Sequence, residues 1–149
     1  MRTIVRVLRR LRIENLVLIR DAELELAPGL NAITGETGAG KTILAQAVGL
    51  LLGTKGDAAF VGPGTEEAYV EAELDLPDEL DELADLRPED EDALLVARRV
   101  FADGRTRAYA WGRAAPARRA AGWRRGRRGK TGRAARPGRG HSRDGGRRR

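Results

Sequence analysis

Eight consecutive residues have the types and spacing to hold a chain of phosphates: Gly35-Glu36-Thr37-Gly38-Ala39-Gly40-Lys41-Thr42. They fit G-x-x-x-x-G-K-[ST], the phosphate-binding loop of nucleotide-hydrolysing proteins. Glycines let the backbone take conformations closed to residues with a side chain, so that consecutive N–H groups can surround one anion. Lys41 would reach the β- and γ-phosphates as a point charge, and Thr42 would offer its hydroxyl to Mg²⁺. A helix starting here adds free N–H groups and the positive end of its dipole. The sequence therefore assigns all eight residues to ATP and Thr42 also to Mg²⁺. It assigns none to catalysis.

Such a loop needs a strand before it and a helix after it. Residues 30–34, Leu-Asn-Ala-Ile-Thr, read as a short buried strand entering the loop. Ile43, Leu44, Ala47, Val48, Leu51 and Leu52 then form one stripe of a helix, and Gly53 stands where a helix C-terminus favours glycine.

At 149 residues the chain has room for one domain. It has no cysteine and a single histidine, His141, which excludes a disulfide framework, a thiolate metal site and a histidine cluster. No apolar run reaches the ~18–20 residues of a bilayer span, and the arginine-rich start does not read as a secretion signal. A cytoplasmic protein is expected. The net charge of +6 averages two unlike objects. Residues 114–149 hold 13 Arg and one Lys against one Asp, which leaves residues 1–113 at −7.

Residues 1–10 are basic and lead into, or extend, the first strand. Leu11, Ile13 and Asn15 alternate with Arg12, Glu14 and Leu16, and Ala22, Leu24 and Leu26 alternate with Asp21, Glu23 and Glu25. Both runs predict strands with one wet face. Ala27-Pro28-Gly29 is a turn. After the helix, residues 53–66 read as a surface connection. Val70, Ala72, Leu74 and Leu76 predict another half-buried strand, stopped by Pro77. In the acidic segment 78–92, Leu80, Leu83 and Leu86 predict a short surface helix with a solvated face. Residues 93–102 and 105–111 predict a hairpin about Asp103-Gly104 with a type I′ turn. The body thus holds about six strands, largely antiparallel, and one long helix. In residues 114–149, 30 of 36 are Ala, Arg, Gly or Pro, with no Leu, Ile, Val, Phe or Met. That composition predicts disorder from about Ala114 onward. It is also what GC-rich codons encode, as a change of reading frame near residues 114–118 would produce.

The chain from residue 9 to 116 resembles the RecN family, bacterial double-strand-break repair ATPases of the SMC-like ABC class. The resemblance is carried by Leu11-Arg12-Ile13-Glu14-Asn15-Leu16, by Gly29-Leu30-Asn31, and by Glu36-Thr37-Gly38-Ala39 inside the loop, which is more restrictive than the general motif. It continues in Gly49-Leu50-Leu51-Leu52-Gly53, Arg98-Arg99-Val100 and Gly104-Arg105-Thr106-Arg107-Ala108-Tyr109. Where the family has Asn-Gly after that tyrosine strand, this chain has Trp111-Gly112. The resemblance implies an α/β fold: the N-terminal lobe of an ABC-type P-loop ATPase head with an antiparallel β-subdomain over residues 1–113, followed by the basic tail, 114–149. It implies ATP and Mg²⁺ as cofactors, DNA as a partner, head-to-head dimerisation of the intact relative, and a nucleoid-associated place in the cytoplasm. The chain has no glutamine after Gln46 for the family's glutamine loop, no apolar strand ending in Asp-Glu, no serine-glycine signature and no heptad run. The fragment should therefore bind ATP and hydrolyse it very slowly, if at all.

Two other readings stand beside this one. The tail, with its net +13, would bind nucleic acid without sequence preference by neutralising phosphates. A complete P-loop kinase or GTPase needs more parallel strands than the antiparallel pattern of residues 43–113 supplies.

Overall fold

The structure is a computed structural model and describes residues 7–36, 38–76, 80 and 83–120. Six antiparallel strands form one sheet: β1 (Leu8–Leu16), β2 (Ile19–Glu25), β3 (Glu67–Asp75), β4 (Ala93–Phe101), β5 (Thr106–Ala110) and β6 (Arg113–Ala115), in the order β2-β1-β3-β4-β5-β6. The predicted alternation is realised most fully in β3, where Ala68, Val70, Ala72 and Leu74 are buried and the residues between them are partly exposed. Residues paired across strands share a face. Ile13 lies opposite Val70, Val70 opposite Arg98, and Arg98 opposite Ala108.

Helix α1 (Gly38–Leu51) lies across this face, in contact with β1, β3 and β4. Its fully buried residues are Ile43, Ala47, Leu50 and Leu51, with Leu44 and Val48 packed at the margin. The predicted stripe is thus rotated slightly to take in Leu50. Gly53 ends the helix at φ 90°, donating to Leu50 O at 3.1 Å while Thr54 N donates to Gly49 O at 2.9 Å. This pair of bonds is a Schellman motif, and the positive φ explains the glycine.

Five expectations require correction. Residues 30–34 form no strand: Leu30 is 98% and Ile33 50% exposed. A buried strand needs hydrogen-bonding neighbours on both sides, and among the described residues none of the six strands pairs with this segment. Leu16, which the alternation sets with Arg12 and Glu14, is fully buried, because Asn15 turns the strand at φ 51° and Leu16 bridges to Val61. Asp103-Gly104 makes no type I′ turn. Gly104 N donates to Phe101 O at 2.8 Å, Phe101 N to Arg105 O at 2.9 Å, and Gly104 alone in the loop has positive φ, 83°. This is a three-residue loop closed by a left-handed glycine. The type I′ turn is at Trp111-Gly112, φ 49° and 72°, joining β5 to β6.

The acidic segment shows one 3₁₀ turn, Ala84–Leu86, among its described residues, with Leu83 and Leu86 buried in the core and Leu80 against it. Pro77 and the neighbouring residues 78, 79, 81 and 82 lie outside the described residues. Order does not stop at Ala114. Strand β6 includes Ala114 and Ala115, and the short helix α2 (Ala117–Ala120) follows, packed on β5. Alanines suffice here because Ala108, Ala115 and Ala120 are small enough to pack closely and are all buried. The remaining tail, 121–149, lies outside the described residues, as do residues 1–6.

Candidate functional site

The route into the loop begins at the end of β2. Leu26 N still bonds to Arg9 O at 2.8 Å, and the chain then reverses through Pro28 and Gly29, the latter at φ 98°. Asn31 fastens this reversal. Its side-chain Oδ1 accepts from Ala27 N at 3.0 Å, and its Nδ2 donates to Ala27 O at 2.8 Å and Gly29 O at 3.3 Å. The amide thereby occupies both backbone groups of Ala27 as a neighbouring strand would. Asn31 was not singled out by sequence as a positioning residue. An asparagine two residues after Pro-Gly is the signal that could have found it.

Beyond it, residues 32–36 lead to the N-terminus of α1 at Gly38, and Thr37 lies outside the described residues. The predicted contributors Gly35, Glu36, Gly38, Ala39, Gly40, Lys41 and Thr42 are all solvent-exposed. Lys41 Nζ donates to Gly35 O at 3.0 Å, which ties the end of the motif to its beginning. Thr42 Oγ1 donates to Gly38 O at 2.9 Å, one helical turn back. Both functional side chains therefore fold over the loop.

The N–H groups at the start of an α-helix have no intrahelical acceptor, and among the described residues these are Gly38, Ala39 and Gly40. The glycines contribute space more than conformation. Gly38 and Gly40 lack positive φ, and a Cβ on either would meet nothing within 4 Å. Their amides are open to approach from solvent. Three free amides, a helix dipole and an ammonium are groups that attract an anion, and the hydroxyl beside them suits a hard cation carried in with it. Among the described residues no acidic or histidine cluster could hold a metal alone, and no helix is long and apolar enough to cross a membrane.

The AAA domain family matches residues 10–95. DNA repair protein RecN of Streptomyces coelicolor is 46% identical over 112 residues, covering 71% of this chain and 19% of that protein. RecN of Mycobacterium tuberculosis is 38% identical over 127 residues, 78% of this chain and 22% of that protein. The chain thus spans about a fifth of the length of these curated relatives. Among solved structures, an SMC ATPase studied for ATP-driven dimerisation and DNA-stimulated activation superposes with a TM-score of 0.63 at 22% identity, over 76% of this chain and 75% of that one. The Smc head domain of Pyrococcus yayanosii superposes with a TM-score of 0.63 at 22% identity, over 78% of this chain and 25% of that one. These likenesses fix the fold as the N-terminal lobe of an ABC-type P-loop head.

Proposed function

The chain belongs to the AAA domain family, and from that premise we propose that residues 35–42 bind the phosphate chain of ATP in a RecN-like protein of DNA repair. The observation that carries this reading is the bond from Lys41 Nζ to Gly35 O beside the open N-terminus of α1. On binding, the ammonium would leave the carbonyl for the β- and γ-phosphates, and the amides of Gly38, Ala39 and Gly40 would face the chain of phosphates. Gly35, Glu36 and Thr37 would form the rest of the cradle. Thr42 would give up its bond to Gly38 O and present Oγ1 to Mg²⁺. The metal supplies charge neutralisation on the phosphate oxygens.

The proposed activity is binding rather than turnover, because every residue assigned here positions phosphate and none activates water. Contact with DNA, head-to-head dimerisation and association with the nucleoid are proposed for the intact relative. The division of the chain into a P-loop lobe and a basic tail is part of the same proposal, with the boundary moved from residue 113 to Ala120.

Equilibrium binding of ATP with Mg²⁺ tests the reading. Lys41→Ala should weaken binding by about 10-fold or more, the loss of a hydrogen bond to a charged group. Equal affinity for the two proteins would remove Lys41 from the site.

A second reading rests on the charge of residues 114–149. They would hold DNA or RNA through phosphates alone. Affinity should fall by about 10³-fold between 50 and 200 mM salt, and deletion of residues 121–149 should abolish it. Binding that is indifferent to salt would exclude this mode.

A further inference from the structure

The last described residues reach back to an acid. Asp85 lies in the 3₁₀ turn Ala84–Leu86. Arg119 of α2 pairs with its carboxylate, and Arg113 of β6 donates from Nη1 to Asp85 O at 3.5 Å. The Asp85 side chain is still 62% exposed in that pair, so its carboxylate has room for a second cation. Glu89, Asp90, Glu91 and Asp92 follow, all exposed, and take part in none of the ion pairs among the described residues. The cation between them, Arg87, is engaged by the backbone. Its Nε and Nη2 both donate to Glu91 O, at 3.2 and 2.8 Å, which holds residues 87–91 in a turn. With five acids and one arginine, residues 85–92 carry a net charge of −4.

The acids elsewhere are placed differently. Arg10 and Arg12 bridge Glu14, Glu23, Glu71 and Glu73 on β1, β2 and β3. The exposed acids of β2 stand at the edge of the sheet opposite β6. The chain leaves the described fold at Ala120, next to the arginine that Asp85 holds. The ten residues that follow, 121–130, contain Arg124, Arg125, Arg127, Arg128 and Lys130 and no acid. A strongly basic segment therefore starts beside the acidic turn.

We propose that the acidic turn 85–92 is a docking surface for segment 121–130 of the same chain, and that nucleic-acid phosphate competes with the turn for that segment. The Arg119–Asp85 pair is the first contact of the series and fixes where the segment begins. One exposed ion pair is weak. The tether through α2 changes the balance, because a short linker supplies an effective concentration on the order of mM. A contact too weak to hold a separate peptide is then occupied. The paired N–H groups of arginine fit the two oxygens of a carboxylate and those of a phosphate equally, so one segment cannot serve both. The docking stands whether or not ATP binds. The competition rests on the second reading above, in which the tail holds DNA or RNA.

The full chain has no cysteine, so Thr131→Cys can carry a single nitroxide label beside the segment. In about 50 mM NaCl the label should broaden the amide resonances of residues 85 and 89–92 at least about 3-fold more than those of β2, and about 500 mM NaCl should remove the difference. Glu89→Gln, Asp90→Asn, Glu91→Gln and Asp92→Asn together alter exposed side chains only. They should abolish the broadening and leave the α1 resonances in place. The same variant should bind single-stranded oligothymidylate about 3- to 10-fold more tightly in low salt, because the free fraction of the segment rises. Neutralising Asp21, Glu25 and Glu66, exposed acids elsewhere, should not. Broadening that is absent from the native chain, or that survives in the four-site variant, would overturn the docking. Broadening in a mixture of isotope-labelled native chain and spin-labelled chain would put the segment on a second copy and overturn the assignment to one chain. Equal tightening in both neutralised variants would reduce the competition to general charge and overturn it. Failure of every variant to bind the oligonucleotide would remove the second reading and the competition with it, while the broadening alone decides the docking.

Discussion

Single residues show where space and charge decide. Gly56 is buried against the β4–β5 hairpin, and a Cβ there would fall 2.5 Å from Thr106 Cγ2 and 3.0 Å from Val100 Cγ2. Gly56→Ala should destabilise the fold by about 1–3 kcal/mol, read from chemical denaturation. Adding Thr106→Ser deletes the nearer methyl and keeps the hydroxyl that receives Arg98, so the double variant should recover part of the loss. No recovery would mean that the hairpin does not make this contact. Asp103 lies under a different control. Arg105 N donates to its carboxylate at 3.0 Å and Arg105 Nε at 2.6 Å, and these bonds hold its pKa below the ordinary aspartate value. A depressed acid stabilises the fold above its unfolded pKa, and that contribution disappears as pH falls through the lowered value. An NMR titration should show a low Asp103 pKa that rises in Arg105→Ala but stays below normal, because the backbone bond remains.

At the scale of elements, turn chemistry separates what the sequence announces from what the chain does. Asp103-Gly104 has the residues of a type I′ turn and folds otherwise, while Trp111-Gly112 makes that turn with a tryptophan at φ 49°. Left-handed backbone costs a bulky residue roughly 1–2 kcal/mol, which asparagine would largely avoid. The indole offsets this cost. Trp111 Nε1 donates to Ala93 O at 2.9 Å, Trp111 N to Leu95 O at 2.9 Å, and the ring packs against the core. Burying a large side chain contributes about 1.5–3 kcal/mol and the ring's hydrogen bond about 1 more. Trp111→Asn should therefore lower stability by about 1–2 kcal/mol even though it eases the turn. A gain in stability would show that backbone strain outweighs the packing. Helix α1 is the opposite case, legible in its main features, because its stripe and terminal glycine are local signals realised by Ile43, Ala47, Leu51 and the Gly53 Schellman bonds, with Leu50 the buried residue they did not mark.

The described residues form one antiparallel sheet with its core on the α1 face and with residues 35–36 and 38–42 held out beyond that core. The approach to the loop carries no packing load. Leu30→Ser with Ile33→Ser should leave stability within about 0.5 kcal/mol of the native chain, because both side chains are exposed. Leu94→Ala, at a fully buried position, should cost about 2–5 kcal/mol. Equal losses in the two would mean that residues 30–34 are packed after all. From the sequence alone, the eight-residue motif, the helix behind it, the alternating strands β1, β2 and β3, the hairpin of β4 and β5, and the RecN resemblance could all be read, because each depends on signals within a short stretch. Only the tertiary structure decided the rest. Whether residues 30–34 become a strand depends on neighbours to pair with. Whether Ala114–Ala120 join the fold depends on a surface, at Ala108, on which alanines fit. The isolation of Arg98 among apolar neighbours appears only when β3, β4 and β5 are laid side by side. Hydrogen-bond partners and counter-charges come from residues distant in the chain, and no local pattern can specify them.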